Sequence, residues 1–332
     1  MYLGIDVSKM KLDYSLRTAG KELRNGILKN EFSEIVSLLQ ELKDDASANE
    51  SVLVVCAEHT GDYTSYLKSA CGITNTILYL ESGAGIKLSS GLQRGKNDKI
   101  DAARIATYAE RFSDALRPYK EPRMEVARLR KMLMERNLYV KDVAKYKRML
   151  KEQTATVGDI LGESFRRRFE EIIDVLQNHI RELEAAIRQM LSASEELRRQ
   201  ECLLRSVDGV GEMLAWKVIA ATDAFEQFEK PRKFCCHAGI APFAYHSGSS
   251  IRSAWHVSHR ADKSIKELLH MSALAAISVK QGPFKDYYIR KVEEGKNKMS
   301  VLNAIRAKIV HAMFAVVRNN TMFDKNYNIS LA

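Results

Sequence analysis

Four acidic residues of this 332-residue chain stand where carboxylates could do chemistry together. Asp6 lies in the middle of the apolar run Tyr2–Val7, on the face opposite Leu3 and Ile5. Glu58 comes just after the β-branched run Val52–Cys56. Asp98 and Asp101 stand three apart at the start of a helical pattern, so both project from one helix face. Carboxylates gathered out of water repel one another and lose hydration, which costs free energy unless a cation joins them. Mg2+ or Mn2+ suits an all-oxygen donor set and keeps waters for reaction. Two such ions about 4 Å apart clamp the attacking and leaving oxygens of a phosphodiester. The chemistry indicated is metal-dependent cleavage of a nucleic-acid backbone. Plainer uses exist for three of the acids. Asp98 would serve as a helix cap, and Glu58 and Asp101 would be surface acids among the 42 in the chain. Asp6 is the hardest to dismiss, because an acid inside an apolar strand needs a partner.

The elements that must hold these acids follow from hydrophobic periodicity. Tyr2–Val7, Leu12–Arg17 and Glu22–Leu28 read as strands, the last two joined by a turn at Thr18-Ala19-Gly20-Lys21. Asn30 is predicted to cap an amphipathic helix over Phe32–Leu42. A buried strand Val52–Cys56, a helix Tyr63–Ala70, a strand Thr74–Leu80 and a helix Lys99–Arg111 entered through Asp98 complete the pattern. Three strands, helix, strand, helix, strand, helix is an α/β order that brings the acids to the middle of one sheet. It occupies residues 1–117.

Pro118 and Pro122 punctuate the chain, and a long, charged, glycine-poor stretch follows. Val126, Leu129, Leu133, Val140, Val143 and Leu150 keep helical spacing, and after Gly158 and Gly162 the pattern resumes from Phe169 to Leu197 as a heptad seam. Residues 118–200 therefore form a coiled-coil helical connector, either an antiparallel hairpin or an intermolecular coiled coil; the pattern leaves both open. Residues 201–332 read as a mostly α-helical domain. Leu204–Ala221 has the apolar-Gly-Val-Gly-helix form of a helix-hairpin-helix, whose turn offers N–H groups to phosphate. An ordinary glycine turn between core helices is the plainer alternative.

The chain is 45% hydrophobic and 28% charged, with a formal net charge of +10. The composition is that of a protein with a buried core, and the basic balance favours polyanionic partners. Cys56, Cys71, Cys202, Cys235 and Cys236 show no zinc-type spacing, and their odd number argues against a complete disulfide framework. No export signal opens the chain and no apolar stretch is long enough to cross a bilayer, so a cytoplasmic, nucleoid-associated chain with no membrane partner is expected. Ser82-Gly83-Ala84-Gly85-Ile86-Lys87 lacks the full spacing of a nucleotide-binding loop. Arg252, His256, Arg260 and Lys263 form a basic run suited to phosphate contact, or else a solvated helix-entry face.

Gly4-Ile5-Asp6-Val7-Ser8-Lys9, Ala57-Glu58-His59-Thr60-Gly61 and Lys96-Asn97-Asp98-Lys99-Ile100-Asp101-Ala102 resemble the three acidic motifs of the DEDD insertion-sequence transposases. That is the insertion sequence 110 family, which includes pilin-inverting recombinases. The resemblance implies a ribonuclease H-like, RuvC-like first domain whose four acids bind Mg2+ or Mn2+. Lys233–Pro242 and the following Phe243–Ser250 resemble the family's second block, in which the serine before a glycine is the nucleophile. By position that serine is Ser247. The family continues Ser-Gly-Gly with a basic residue; Ser249 and Ser250 depart from this, and Ser249 remains a rival. The resemblance further implies donor and target DNA, a structured bridge RNA as guide, and a homo-oligomer, dimer or tetramer, in which the acidic site of one protomer works with the serine of another. Two other readings stand beside it. One is a RuvC-like Holliday-junction resolvase that hydrolyses DNA without a covalent step. The other is a non-catalytic nucleic-acid binder, against which the presence of all four acids argues.

Overall fold

In a computed structural model the chain divides into two compact units, Met1–Glu121 and Pro122–Ala332. The structure describes residues 1–89, 97–156, 162–243, 246–247, 251–252, 256–257 and 261–324.

The first unit is built on β1 (Tyr2–Val7), β2 (Lys11–Thr18), β3 (Lys21–Lys29), β4 (Val54–Glu58) and β5 (Ile77–Glu81). The sheet order is β3-β2-β1-β4-β5, with β1–β2–β3 antiparallel and β1, β4 and β5 parallel. This is the α/β order expected from the elements and the ribonuclease H-like arrangement that the family resemblance implies. Helices α1 (Phe32–Ala48), α2 (Ser65–Ile73), α3 (Gly83–Ser89) and α4 (Asp98–Arg111) cover it. The period of two sorts the side chains by face. Leu3, Ile5, Leu12, Leu16, Val55 and Ala57 pack with Ile35, Leu39 and Leu67 of α1 and α2 in one apolar core. The intervening residues of β1, Gly4 and Asp6, face α4.

Gly4 determines how close that helix comes. A Cβ there would lie 2.2 Å from Ala106 N and 2.4 Å from Ala102 O, so only a bare backbone admits α4 at this distance. The helix meets the sheet through Ala102, Ala106 and Ala109, all buried, whose small side chains permit the same approach. Asp6, one sheet period further along β1, then lies beside the first turn of α4.

Two caps differ from expectation. Asn97, not Asp98, caps α4: its side-chain oxygen accepts from Lys99 N at 2.8 Å and Ile100 N at 3.3 Å. Asp98 is thereby left for other work. Asn30 does not cap α1, which starts after Glu31 with no side-chain cap. The Asn30 amide instead donates to Ser8 O at 2.9 Å and Tyr63 O at 3.0 Å, joining the β1–β2 turn to the segment after β4. The Ser82–Lys87 stretch lies largely within α3, a helix that periodicity did not reveal because it is only 7 residues long.

The second unit opens with α5 (Met124–Thr156) and α6 (Gly162–Ala193). Arg136 pairs with Glu184 at 2.7 Å, Tyr139 packs on His179 and Tyr146 on Phe169, so positions advance in opposite directions along the two helices. Of the two arrangements left open, the chain adopts the antiparallel hairpin. Its base belongs to the helical core: Val126, Leu129, Ile187 and Leu191 join residues of α7 (Glu195–Arg205), α8 (Glu212–Thr222) and α9 (Pro231–His237). Two short strand pairs follow, β6 (Pro242–Phe243) with β9 (His256–Val257) and β7 (His246–Ser247) with β8 (Ile251–Arg252), both antiparallel. Then come α10 (Lys263–Ser278), α11 (Pro283–Glu293) and α12 (Lys298–Asn319). Contrary to the hydropathy expectation, α12 is long and apolar enough to span a bilayer by length and composition. Its apolar residues Ile305, Ile309, Val310 and Met313 are fully buried among the other helices, which accounts for the composition of a core helix.

Candidate active site

The acids form a row across the sheet. Asp6 of β1 pairs in register with Asp13 of β2, and Glu58 of β4 with Glu81 of β5. Ile5 pairs with Ala57, so the next residues along these parallel strands, Asp6 and Glu58, are neighbours. Four adjacent strands, about 4.8 Å apart, thus contribute one acid each at a common level on the α4 side. The first turn of α4 adds Asp98 and Asp101. The Asp6 carboxyl is pushed up to about 6, first by burial and then by the negative charges of Asp101, Asp98, Glu58 and Asp13. The charges of Glu58, Asp98 and Asp101, the other acids singled out in the sequence, are thus all felt at the Asp6 carboxyl.

Asp13 and Glu81 were missed. Asp13 carries the same signal as Asp6, an acid inside an apolar strand, and is 4% exposed. Glu81 ends β5 one residue beyond the predicted strand, and burial holds its carboxyl above the usual range. Two cations also enter the cluster. Lys11 Nζ lies 2.9 Å from Asp13 Oδ2 and 2.8 Å from Asp98 Oδ2, and these bonds raise the ammonium pKa. Arg104 Nη1 lies 2.6 Å from Asp101 Oδ1. Glu58 has its own constraint: a Cβ on Gly83 would lie 2.0 Å from Glu58 Oε1, so the absent side chain at the start of α3 makes room for the carboxylate.

The donors are all oxygens and their charges repel, which suits a hard divalent cation. As placed, no three His, Cys, Asp or Glu among the described residues stand close enough to grip one ion. Lys11 and Arg104 hold Asp98 and Asp101 in ion pairs instead. The residues fit a divalent ion by donor type and charge; Asp6, Glu58, Asp98 and Asp101 would hold it.

In the second unit Ser247 ends β7, its backbone paired with Ile251, while His246 pairs with Arg252. His256 lies in β9, and Lys263 opens α10 behind Asp262, whose carboxylate accepts from Ser264 N and Ile265 N at 2.9 and 3.1 Å. Ser249 and Arg260 lie outside the described residues. In the helix-hairpin-helix segment, Gly209 has φ +83° and its Cβ position falls 2.2 Å from Ser272 O of α10. Both facts require glycine, so tight packing explains this residue without a ligand.

A mixed sheet with acids gathered at the ends of β1 and β4, beneath the first turn of a helix, is the framework of a ribonuclease H-like nuclease domain. Residues 3–156 match a family model described as a transposase of the DEDD IS110 type, and residues 201–289 match one described as "Transposase IS116/IS110/IS902 family". The chain belongs to the IS110 family of DEDD transposases, enzymes of DNA recombination. It is similar to the pilin gene-inverting proteins of Moraxella bovis and Moraxella lacunata, each 24% identical over 98% of both chains. The IS116 uncharacterized 44.8 kDa protein of Streptomyces clavuligerus is 26% identical over 36% of this chain and 30% of its own. T. thermophilus RuvC in complex with a Holliday junction substrate covers 36% of this chain and 98% of its own, at 12% identity and a TM-score of 0.30.

Proposed function

We propose that this transposase cuts and rejoins DNA through two centres, the acidic cluster of the first unit and the Ser247 hydroxyl of the second. The observation that carries the reading is the convergence of Glu58, Asp98 and Asp101 on Asp6. These four residues would hold Mg2+ or Mn2+, with Asp13 beside them. The bound ion supplies Lewis-acid polarisation of the scissile phosphate and acidifies a nearby hydroxyl. Ser247 Oγ attacks phosphorus; the new O–P bond forms as the bond to the leaving sugar oxygen breaks, and the serine proton passes to that oxygen or to solvent. The phosphoserine ester keeps the energy of the phosphodiester for rejoining, which suits a chain without a recognisable nucleotide-triphosphate loop. Arg252, His256, Arg260 and Lys263 contact backbone phosphates of donor and target DNA. The bridge RNA as guide and the joint work of two protomers come from the family resemblance. Self-association is supported by Met134, Leu138, Ile172 and Val175, which leave large apolar surface exposed on the α5–α6 hairpin.

The test is to trap the reaction on nicked DNA and look for protein-linked DNA under denaturing conditions. Asp6→Asn and Asp98→Asn abolish cleavage, and Ser247→Ala binds DNA without forming the adduct. An adduct that persists in Ser247→Ala and vanishes in Ser249→Ala moves the nucleophile by two positions. A hydrolytic resolvase is the second reading, favoured by the gathering of all four acids within the first unit. It holds if the intact enzyme cuts DNA and never forms an adduct.

A further inference from the structure

The helical unit contains a buried positive charge that no acid among the described residues neutralises. Arg306 of α12 is 7% exposed. Its Nη2 lies 2.6 Å from His270 Nδ1 on α10, its Nη1 only 3.5 Å from Asn303 Oδ1, and its Nε has no partner among the described residues. No carboxylate there pairs with it. The neighbouring sequence supplies none either: α12 contains no Asp or Glu, and from Ile240 to Ala261 the chain carries Arg252 and Arg260 and no acid at all. A guanidinium taken out of water without a counter-charge destabilises the fold, and an anion beside it would offset that cost.

The surroundings define what that anion would meet. Because His270 accepts from Arg306 at Nδ1, its proton resides on Nε2, and the ring presents an N–H donor on its other side. Burial and the Arg306 charge hold the imidazole pKa below its usual value, so this donor is neutral at physiological pH. Asn303, one helical turn before Arg306, donates its amide to Ile240 O at 2.9 Å. Ile240 immediately precedes the segment that carries β6 and β7, so the buried charge lies close to the root of the Ser247 strand.

We propose that Arg306 and His270 form a seat for one backbone phosphate of bound DNA, at the root of the segment bearing Ser247. Arg306 supplies the charge and fixes the His270 tautomer; His270 supplies the outward donor. Naming the anion as DNA phosphate rests on the recombinase reading, but the seat itself does not depend on Ser247.

The full-length protein tests this in two ways. Inorganic phosphate, against chloride at matched ionic strength, raises Tm by about 2–4 °C in the intact protein, and Arg306→Met loses this gain while Arg306→Lys keeps part of it. On duplex DNA, Arg306→Met lowers the log–log salt slope of binding by about 0.9, the share of one phosphate contact. Should Arg306→Met fail to fold, His270→Phe serves, since it removes the outward donor and leaves the guanidinium. Ser247→Ala retains both readouts, which separates failure of the seat from failure of the serine assignment. An unchanged slope together with no phosphate-specific gain in Tm makes Arg306 structural and overturns the proposal. A change seen with an RNA duplex and not with DNA assigns the seat to RNA and overturns it as well.

Discussion

The two units present their candidate chemistry on very different supports. Asp6 sits in a central strand, laddered to β2 on one side and β4 on the other, with α4 held against the backbone at Gly4. Ser247 sits in a strand of two residues, joined to β8 by two register pairs. The charges differ too. The acidic cluster crowds one sign and admits Lys11 and Arg104 as partners, whereas Arg306 is buried among helices with no opposite charge among the described residues. Strand register fixes Asp6 beside Glu58, whereas Asp98 and Asp101 are held by ion pairs with Lys11 and Arg104.

The largest expected effect comes from removing the sheet's charge. Asp6→Asn or Asp98→Asn lowers strand cleavage by about 10²–10³-fold or more, measured as single-turnover cutting, with DNA binding retained. A normal rate in either variant would leave the serine unit as the sole centre. Next comes the support itself. Gly4→Val places its Cβ against Ala102 O and Ala106 N and destabilises the first unit by about 1–3 kcal/mol or more, read by denaturant unfolding. Gly83→Ala is the milder counterpart, because it collides with a movable carboxylate: metal-dependent stabilisation weakens while the metal-free Tm changes little.

A smaller effect concerns pH. The folded-state pKa of Asp6 is raised to about 6, so its stabilising protonation is complete below the unfolded value and is lost as pH rises through about 6. Without divalent ions, Asp6→Asn should match the intact protein near pH 4 and exceed it near pH 8, by at most about 1–2 kcal/mol after allowance for solvent screening. Mg2+ should close that gap, and a gap that widens on lowering the pH would reverse the sign argued here. The smallest effect belongs to Lys11. Lys11→Met removes a cation that bridges Asp13 and Asp98, so Mn2+ binding measured by calorimetry tightens several-fold. Weaker binding would make Lys11 an organiser of the ligands and not a competitor for them.

Much of the site could be read from residue order because both elements and acids obey local rules. Alternation in Tyr2–Val7 placed Asp6 opposite Leu3 and Ile5, and a three-residue spacing placed Asp98 and Asp101 on one helix face. Asp13 escaped although its signal was equal, since β2 was read only as a strand. The roles of Asn97 and Asn30 escaped because both are cap residues by type, and which asparagine finds a helix end depends on where neighbouring segments lie.

The sequence by itself determined the α/β order, the long helices that follow it and the transposase motifs, because each depends on neighbours within a few residues. Tertiary structure alone decided four further points. The hairpin α5–α6 folds back within the chain, since a heptad seam specifies an apolar partner and not which helix supplies it. Asp13 and Glu81 enter the acidic row through strand register. Lys11 reaches Asp98 across 87 positions of sequence. Arg306 is buried without an acid among the described residues, because burial and pairing are properties of the packed helices, and nothing in the residues around it along the chain distinguishes it from an arginine in water.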